Sequence, residues 1–113
     1  MGSGRGVLVG RDRLRVGLEP RYAPKVIAQL DQIEQDPTRV RLWNAICDAV
    51  DLICDQPESG EARQHVWRRR DGGLVWQIPL RDTGDDDWVI LWFPNGDDAN
   101  IVYIGPELVR VGV

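Results

Sequence analysis

The chain is short of the residues that build metal and disulfide frameworks. It has one histidine, His65, and two cysteines, Cys47 and Cys54, with no Cys-x-x-Cys pair. A structural zinc cluster needs more ligands at closer spacing, so that class is excluded. The cysteines stand seven apart in a stretch of helical periodicity. That puts them about two turns, roughly 10 Å, apart on one face, too far for a disulfide. They read as reduced thiols and fit a reducing, cytoplasmic setting. No apolar run has the length of a membrane span, and no secretory apolar stretch follows the start. Lysine is nearly missing too: of fourteen Lys and Arg, only Lys25 is lysine. GC-rich coding accounts for such a bias, and so does a need for bidentate contacts to carboxylate or phosphate.

What is there is one domain's worth of sequence. The 113 residues carry 18 Asp and Glu against 14 Lys and Arg, for a net charge of -4. That balance argues against a general nucleic-acid coat protein, whose affinity comes from neutralised phosphates. A local basic site on the acidic body stays open, because fields reach about a Debye length, roughly 8–10 Å. Residues 1–12 begin Met-Gly-Ser-Gly-Arg-Gly and read as a disordered or tag-like segment. Residues 13–113 read as a single domain, large enough to bury a modest core unaided.

The organising stretch is Ala62–Arg81. Two runs of β-branched and aromatic residues flank Asp71-Gly72-Gly73, which predicts a β-hairpin with glycine in a positive-φ turn position. The first arm holds Arg63, His65, Arg68, Arg69 and Arg70; the second, Leu74–Ile78, is almost purely apolar. Upstream, Leu14, Val16 and Leu18 alternate with charge and predict a half-buried strand over Arg13–Leu18, ended by Pro20 and the residues after it. Pro24 suits a first helical turn, and Val26, Ile27, Leu30 and Ile33 form an apolar stripe. Asp36-Pro37 is a helix start, with Asp36 as N-cap. The second helix should bury Val40, Trp43, Ile46, Cys47, Val50, Ile53 and Cys54. Downstream, Trp88–Phe93 is apolar on both faces and reads as a central strand. Ile101–Ile104 reads as a short last strand stopped by Gly105-Pro106. The expected fold is α+β, in the order β-α-α-β-β-β-β, with a helical hairpin on one face of a twisted, mostly antiparallel sheet.

That layout resembles the RelE/ParE superfamily of bacterial toxins. Val16–Leu30 is similar to the family's opening strand and first helix. Gln56-Pro57-Glu58 resembles the Lys-Pro-Glu that follows the second helix in YoeB-type members. His65–Arg70 resembles their Trp-Ser-Arg-Arg-Ile strand, and Leu74–Ile78 their Arg-Leu-Val-Tyr-Gln-Val strand. Two positions depart: Gly73 replaces the arginine that opens the latter strand, and Pro106-Glu107 stands where the family ends in His-Tyr or Lys-Arg. The resemblance implies the toxin of a type II toxin–antitoxin system, bound by a cognate antitoxin as a hetero-oligomer, or self-associated. One implied activity is ribosome-dependent, metal- and cofactor-independent cleavage of mRNA. The alternative is a non-catalytic protein of the same fold that acts by protein contact, as gyrase inhibitors or a divergent interaction module would.

Cleavage of this kind needs a base for the ribose 2′-hydroxyl, cations for the phosphate and an acid for the leaving oxygen. On the resemblance, Glu58 is the base, Arg68 and Arg70 grip the phosphate from one side of the hairpin arm, and His65 or Tyr103 is the acid. Each has a plainer reading. Glu58 is a solvated loop carboxylate, the arginines pair with the acids of Asp82–Asp87, and His65 is a packed or surface residue. Tyr103, two residues after Ile101, belongs with it in the core. Of the five tryptophans only Trp67, beside the arginines, reads as available to stack on a base.

Overall fold

A computed structural model describes residues 17–84 and 87–107. The strand order along the single sheet is β1 (Glu19–Tyr22), β5 (Asp98–Pro106), β4 (Trp88–Asn95), β3 (Leu74–Pro79) and β2 (His65–Arg68). All neighbours run antiparallel except β1, which is parallel to β5. Between β1 and β2 the chain forms α1 (Pro24–Glu34), a 3-10 turn (Pro37–Arg39) and α2 (Val40–Asp55). The expected α+β class, element order and mostly antiparallel sheet are therefore present, with β4 at the centre.

The helices follow from local chemistry. Pro24 occupies the first turn of α1, where a missing N–H costs nothing. Asp36 caps the 3-10 turn that leads into α2, its carboxylate accepting from Thr38 N at 2.9 Å and Thr38 Oγ1 at 2.6 Å. Both stripes face one side of the sheet, where Val26, Ile33, Leu42, Ile46 and Ile53 meet Ile78, Ile90, Trp92, Ile101 and Ile104. Two residues assigned to the stripes fall outside them. Ile27 is 50% exposed and Val40 53%. The first lies a quarter-turn off the narrow Val26–Leu30–Ile33 line, and the second is spent on the entry to α2. Leu42 and Ala49 take the core places instead, at helical spacing from Ile46 and Ile53. Cys54 is buried and Cys47 half-buried, and both are free thiols.

Three strand expectations need correction. The first strand is Glu19–Tyr22, so Pro20 lies inside it rather than ending it; residues 13–16 of the expected strand lie outside the described residues. Glu19 N donates to Asp97 O and Ala23 N to Ile101 O, so odd-numbered residues face β5 and Pro20 faces the open edge, where no N–H is needed. Leu18 N bonds Cys54 O at 2.8 Å and ties this strand to the end of α2. Secondly, β5 spans nine residues and runs through Gly105-Pro106, because β4 pairs it along its whole length, with Val89 opposite Gly105 and Trp88 opposite Pro106, while β1 pairs only its first half, Asp98–Ile101. Thirdly, the ladder between β4 and β5 is bulged: Leu91 opposes Tyr103 and Trp92 opposes Ile101, leaving Val102 over. The extra residue lets Ile101 and Ile104, three apart, both reach the helix side, and it turns Tyr103 to the other face. Tyr103 is thus not a core partner of Ile101.

Loop residues 56–64 are pinned to the helix side. Arg63 stacks over Trp76 at 4.8 Å and Trp92 at 5.8 Å, and its Nε donates to Pro57 O at 2.6 Å. Trp92 Nε1 donates to Ala62 O at 2.8 Å. The opposite face of the sheet carries no helix among the described residues. No helix there is long and apolar enough to cross a membrane.

In urea unfolding, Ile53→Ala should lower stability by about 2–5 kcal/mol, the cost of an aliphatic truncation in a packed core. Ile27→Ala and Val40→Ala should each shift it by only about 0.5 kcal/mol. Equal losses at all three sites would place both helices differently on the sheet.

Candidate functional site

The uncovered face holds a groove of about 470 Å³. Its floor is Val75, Gln77 and Leu91, and its walls are Trp67 on one side and Val102 and Tyr103 on the other, with Arg69 at one end. The alternation of β2 and β3 accounts for the first wall: Trp67 opposes Val75 and His65 opposes Gln77, so all four share this face. The bulge accounts for the second. Both aromatic walls are held in place. Trp67 Nε1 donates to the buried Gln77 at 2.6 Å, which leaves the indole 38% exposed but oriented. Tyr103 Oη donates to Pro106 O at 2.7 Å, and its ring lies so close over Gly105 that a Cβ there would sit 2.7 Å from the hydroxyl. Partial burial raises the Tyr103 pKa above the ordinary tyrosine value, so at neutral pH the hydroxyl keeps its proton and serves as a donor.

Arg69 follows from the turn. Arg69 N donates to Gly73 O at 2.7 Å and Gly72 N to Arg69 O at 2.9 Å, with Gly72 at φ 92°. This is the glycine-dependent hairpin closure that Asp71-Gly72-Gly73 predicts. The Arg69 guanidinium folds back over Gly73 and lies 4.2 Å above the Phe93 ring. A Cβ at position 73 would meet the Arg69 guanidinium, which would have to shift to admit it, so glycine there suits the folded-back arginine. Arg69 Nε is 3.3 Å from Asp71 Oδ1, near enough for attraction but off the line of a hydrogen bond. That buried N–H has no acceptor among the described residues. The Asp71 carboxyl is held below the ordinary carboxylate range, first by the Gly73 N–H and then by the charge of Arg69.

The residues named from sequence distribute unevenly around this groove. Tyr103 forms a wall, and His65, exposed, shares its face. Arg68 ends β2 with the opposite parity, opposing Leu74, and its Nη1 donates to Gly72 O at 3.3 Å. Arg70 is exposed in the turn, beyond the strand, so strand alternation does not put it beside Arg68. Glu58 is exposed in the loop that Arg63 anchors to the helix side. The acid at Asp82 is paired with Arg41 rather than with an arginine of β2. Arg69 and Gln77 are groove residues that the sequence reading did not single out. The available signal was the Arg69–Gly73 spacing, since a residue without a side chain two places past a turn leaves room for a long one folding back. The described residues hold no group of three or more His, Cys, Asp or Glu able to bind a metal ion.

Chemically, the site offers two oriented aromatic walls, an apolar floor and one guanidinium, the single Tyr103 O–H being engaged by Pro106 O. It suits a flat or apolar group that carries a hydrogen-bond acceptor near one end. Comparison with protein-family models, with curated proteins and with solved structures finds no significant match for this chain.

The turn makes a pH prediction. A carboxyl whose folded pKa is lowered stabilises the fold above its unfolded pKa of about 3.9, and that contribution is lost as pH falls through the lowered value. Carbon-detected titration of Asp71 should therefore show a midpoint below the ordinary range. Arg69→Ala should raise it part of the way, leaving the larger effect of the Gly73 N–H in place. An ordinary midpoint in the parent would contradict the turn geometry.

Proposed function

We propose that this chain is a RelE/ParE-type growth-inhibiting toxin that acts by binding through the uncovered face of its sheet. The observation that carries the reading is the contrast between a formed groove and scattered cleavage residues. Trp67, Arg69 and Tyr103 converge, while Glu58, Arg68 and Arg70 lie in the helix-side loop, at the strand end and in the turn. A general base must reach the proton it removes, and an exposed carboxylate on a loop anchored to the other face does not meet that need. Binding requires only the oriented aromatics and the guanidinium. A cognate antitoxin would keep such a protein inactive by covering this face.

Cleavage of mRNA is the second reading, and one observation favours it. Tyr103, held protonated, shares its face with the exposed His65 and with Arg69, which puts a phenol, an imidazole and a cation on one surface. The aromatic wall would then stack a nucleobase.

Controlled induction in a bacterial host, scored by growth and by mapping of mRNA 5′ ends, separates the two. On the binding reading, the parent arrests growth without new mRNA ends, Trp67→Ala and Arg69→Ala relieve the arrest, and Tyr103→Phe keeps it. On the cleavage reading, new ends appear, and Tyr103→Phe lowers their yield on the order of 10²–10⁴-fold, the usual contribution of a positioned acid. A parent chain whose induction leaves growth unchanged would end the toxin assignment altogether.

A further inference from the structure

The hairpin leaves one edge of the sheet without a further strand among the described residues. All four residues of β2, His65–Arg68, are exposed, and β2 ends the strand order. Arg69 and Gly73 form a hydrogen-bonded position at the turn, and the antiparallel ladder alternates from there. Trp67 with Val75 and His65 with Gln77 are then the bonded pairs. The N–H and C=O groups of Val66 and Arg68 turn away from β3, towards the open edge.

Charge on this edge is of one sign. Residues 62–70 contain four arginines and a histidine and no acid, on a chain whose net charge is -4. Arg69 is engaged with Asp71 and Phe93, and Arg63 with Trp76 and Pro57, whereas Arg68 and Arg70 are exposed and in no ion pair among the described residues. Charged residues on a sheet edge commonly serve to keep other strands away. Here they sit beside apolar surface that a purely protective edge would not offer, with Val66 50% exposed and Trp67 leading into the groove. Two copies pairing β2 against β2 would bring these cations face to face, which disfavours a second copy. An acidic strand meets the opposite situation: its backbone satisfies Val66 and Arg68, its carboxylates meet the positive charge of Arg68 and Arg70, and the side chains of its other face lie over Trp67.

We infer that β2 is a docking edge for an extended acidic segment of a partner polypeptide, which adds a sixth strand to the five-stranded sheet. The inference rests on the strand edge alone and holds whether or not the neighbouring groove inhibits growth.

The probe is the synthetic peptide acetyl-Glu-Val-Glu-Val-Asp-Val-Glu-amide, added to the full chain and followed by amide exchange and chemical shift. Exchange of the Val66 and Arg68 amides should slow on saturation. N-methylation of alternate peptide nitrogens, in the register that pairs, should abolish binding, since it removes the ladder and keeps the side chains. Replacing the peptide acids by lysine should weaken binding at least about tenfold, because like charges across an interface cost more than the energy of one decade in affinity. The double variant Arg68→Glu, Arg70→Glu should reverse that preference, and its recovery with the lysine peptide shows that it still folds. Equal affinity for the acidic and lysine peptides would overturn the proposal, as would binding unaffected by N-methylation in either register. Protection of the Val66 and Arg68 amides before any peptide is added would assign the edge to the chain itself or to a second copy, and would overturn it too.

Discussion

The ladder between β4 and β5 carries one residue too many, and the usable surface of the protein depends on where that residue goes. Val102 is left over between the Ile101–Trp92 and Tyr103–Leu91 pairs. Without it, strict alternation would put Ile101 and Tyr103 on the same side, and the helix-facing core would have to accommodate a phenol. With it, Ile101 and Ile104 both seal the core, and Tyr103 stands on the uncovered face beside Leu91. A bulge of this kind stays in place because both flanks are buried: sliding the register by one residue would carry isoleucines out of the core.

The second device is the use of arginine as a cover for aromatic rings. Arg39 lies 5.2 Å from the Trp88 ring centre, Arg63 spans Trp76 and Trp92, and Arg69 covers Phe93. A planar, weakly hydrated guanidinium stacks on an indole and still reaches a carbonyl or carboxylate with its edge, which an ammonium does less well. The near-absence of lysine has a structural use here that neither codon bias nor phosphate recognition captures. It also changes what the arginine-rich strand means. Arg63 is a latch for the 56–64 loop, Arg69 is the groove's cation, and Arg68 and Arg70 remain at the edge.

The two open surfaces differ in kind. The groove is a set of oriented side chains, and it discriminates by the shape and polarity of what enters. The β2 edge is a row of backbone groups with cations beside it, and it recognises an extended chain of opposite charge. Trp67 belongs to both, since its ring walls the groove while its backbone lies in the edge strand. Occupation of one surface would therefore be felt at the other through this single residue.

Much of the architecture was legible along the chain. The glycine turn at residues 71–73, the Asp36-Pro37 start, the doubly apolar Trp88–Phe93 strand and the exposed position of Trp67 all follow from patterns shorter than about ten residues. Such patterns record spacing, and spacing determines an element's type and its buried side. What they could not record is relation between elements. Pro20 is tolerated in β1 because, among the described residues, that strand pairs only with β5 and its even positions face away from it. β5 continues through Gly105-Pro106 because the start of β4, Trp88 and Val89, pairs with that end. Tyr103 changed sides because a bulge reset the alternation, and Arg69 lies in the groove folded over Gly73, across the turn, and stacked on Phe93. In each case the deciding atom belongs to a residue that only the folded chain brings close, so composition and local order determined the parts and tertiary packing decided which of them form the site.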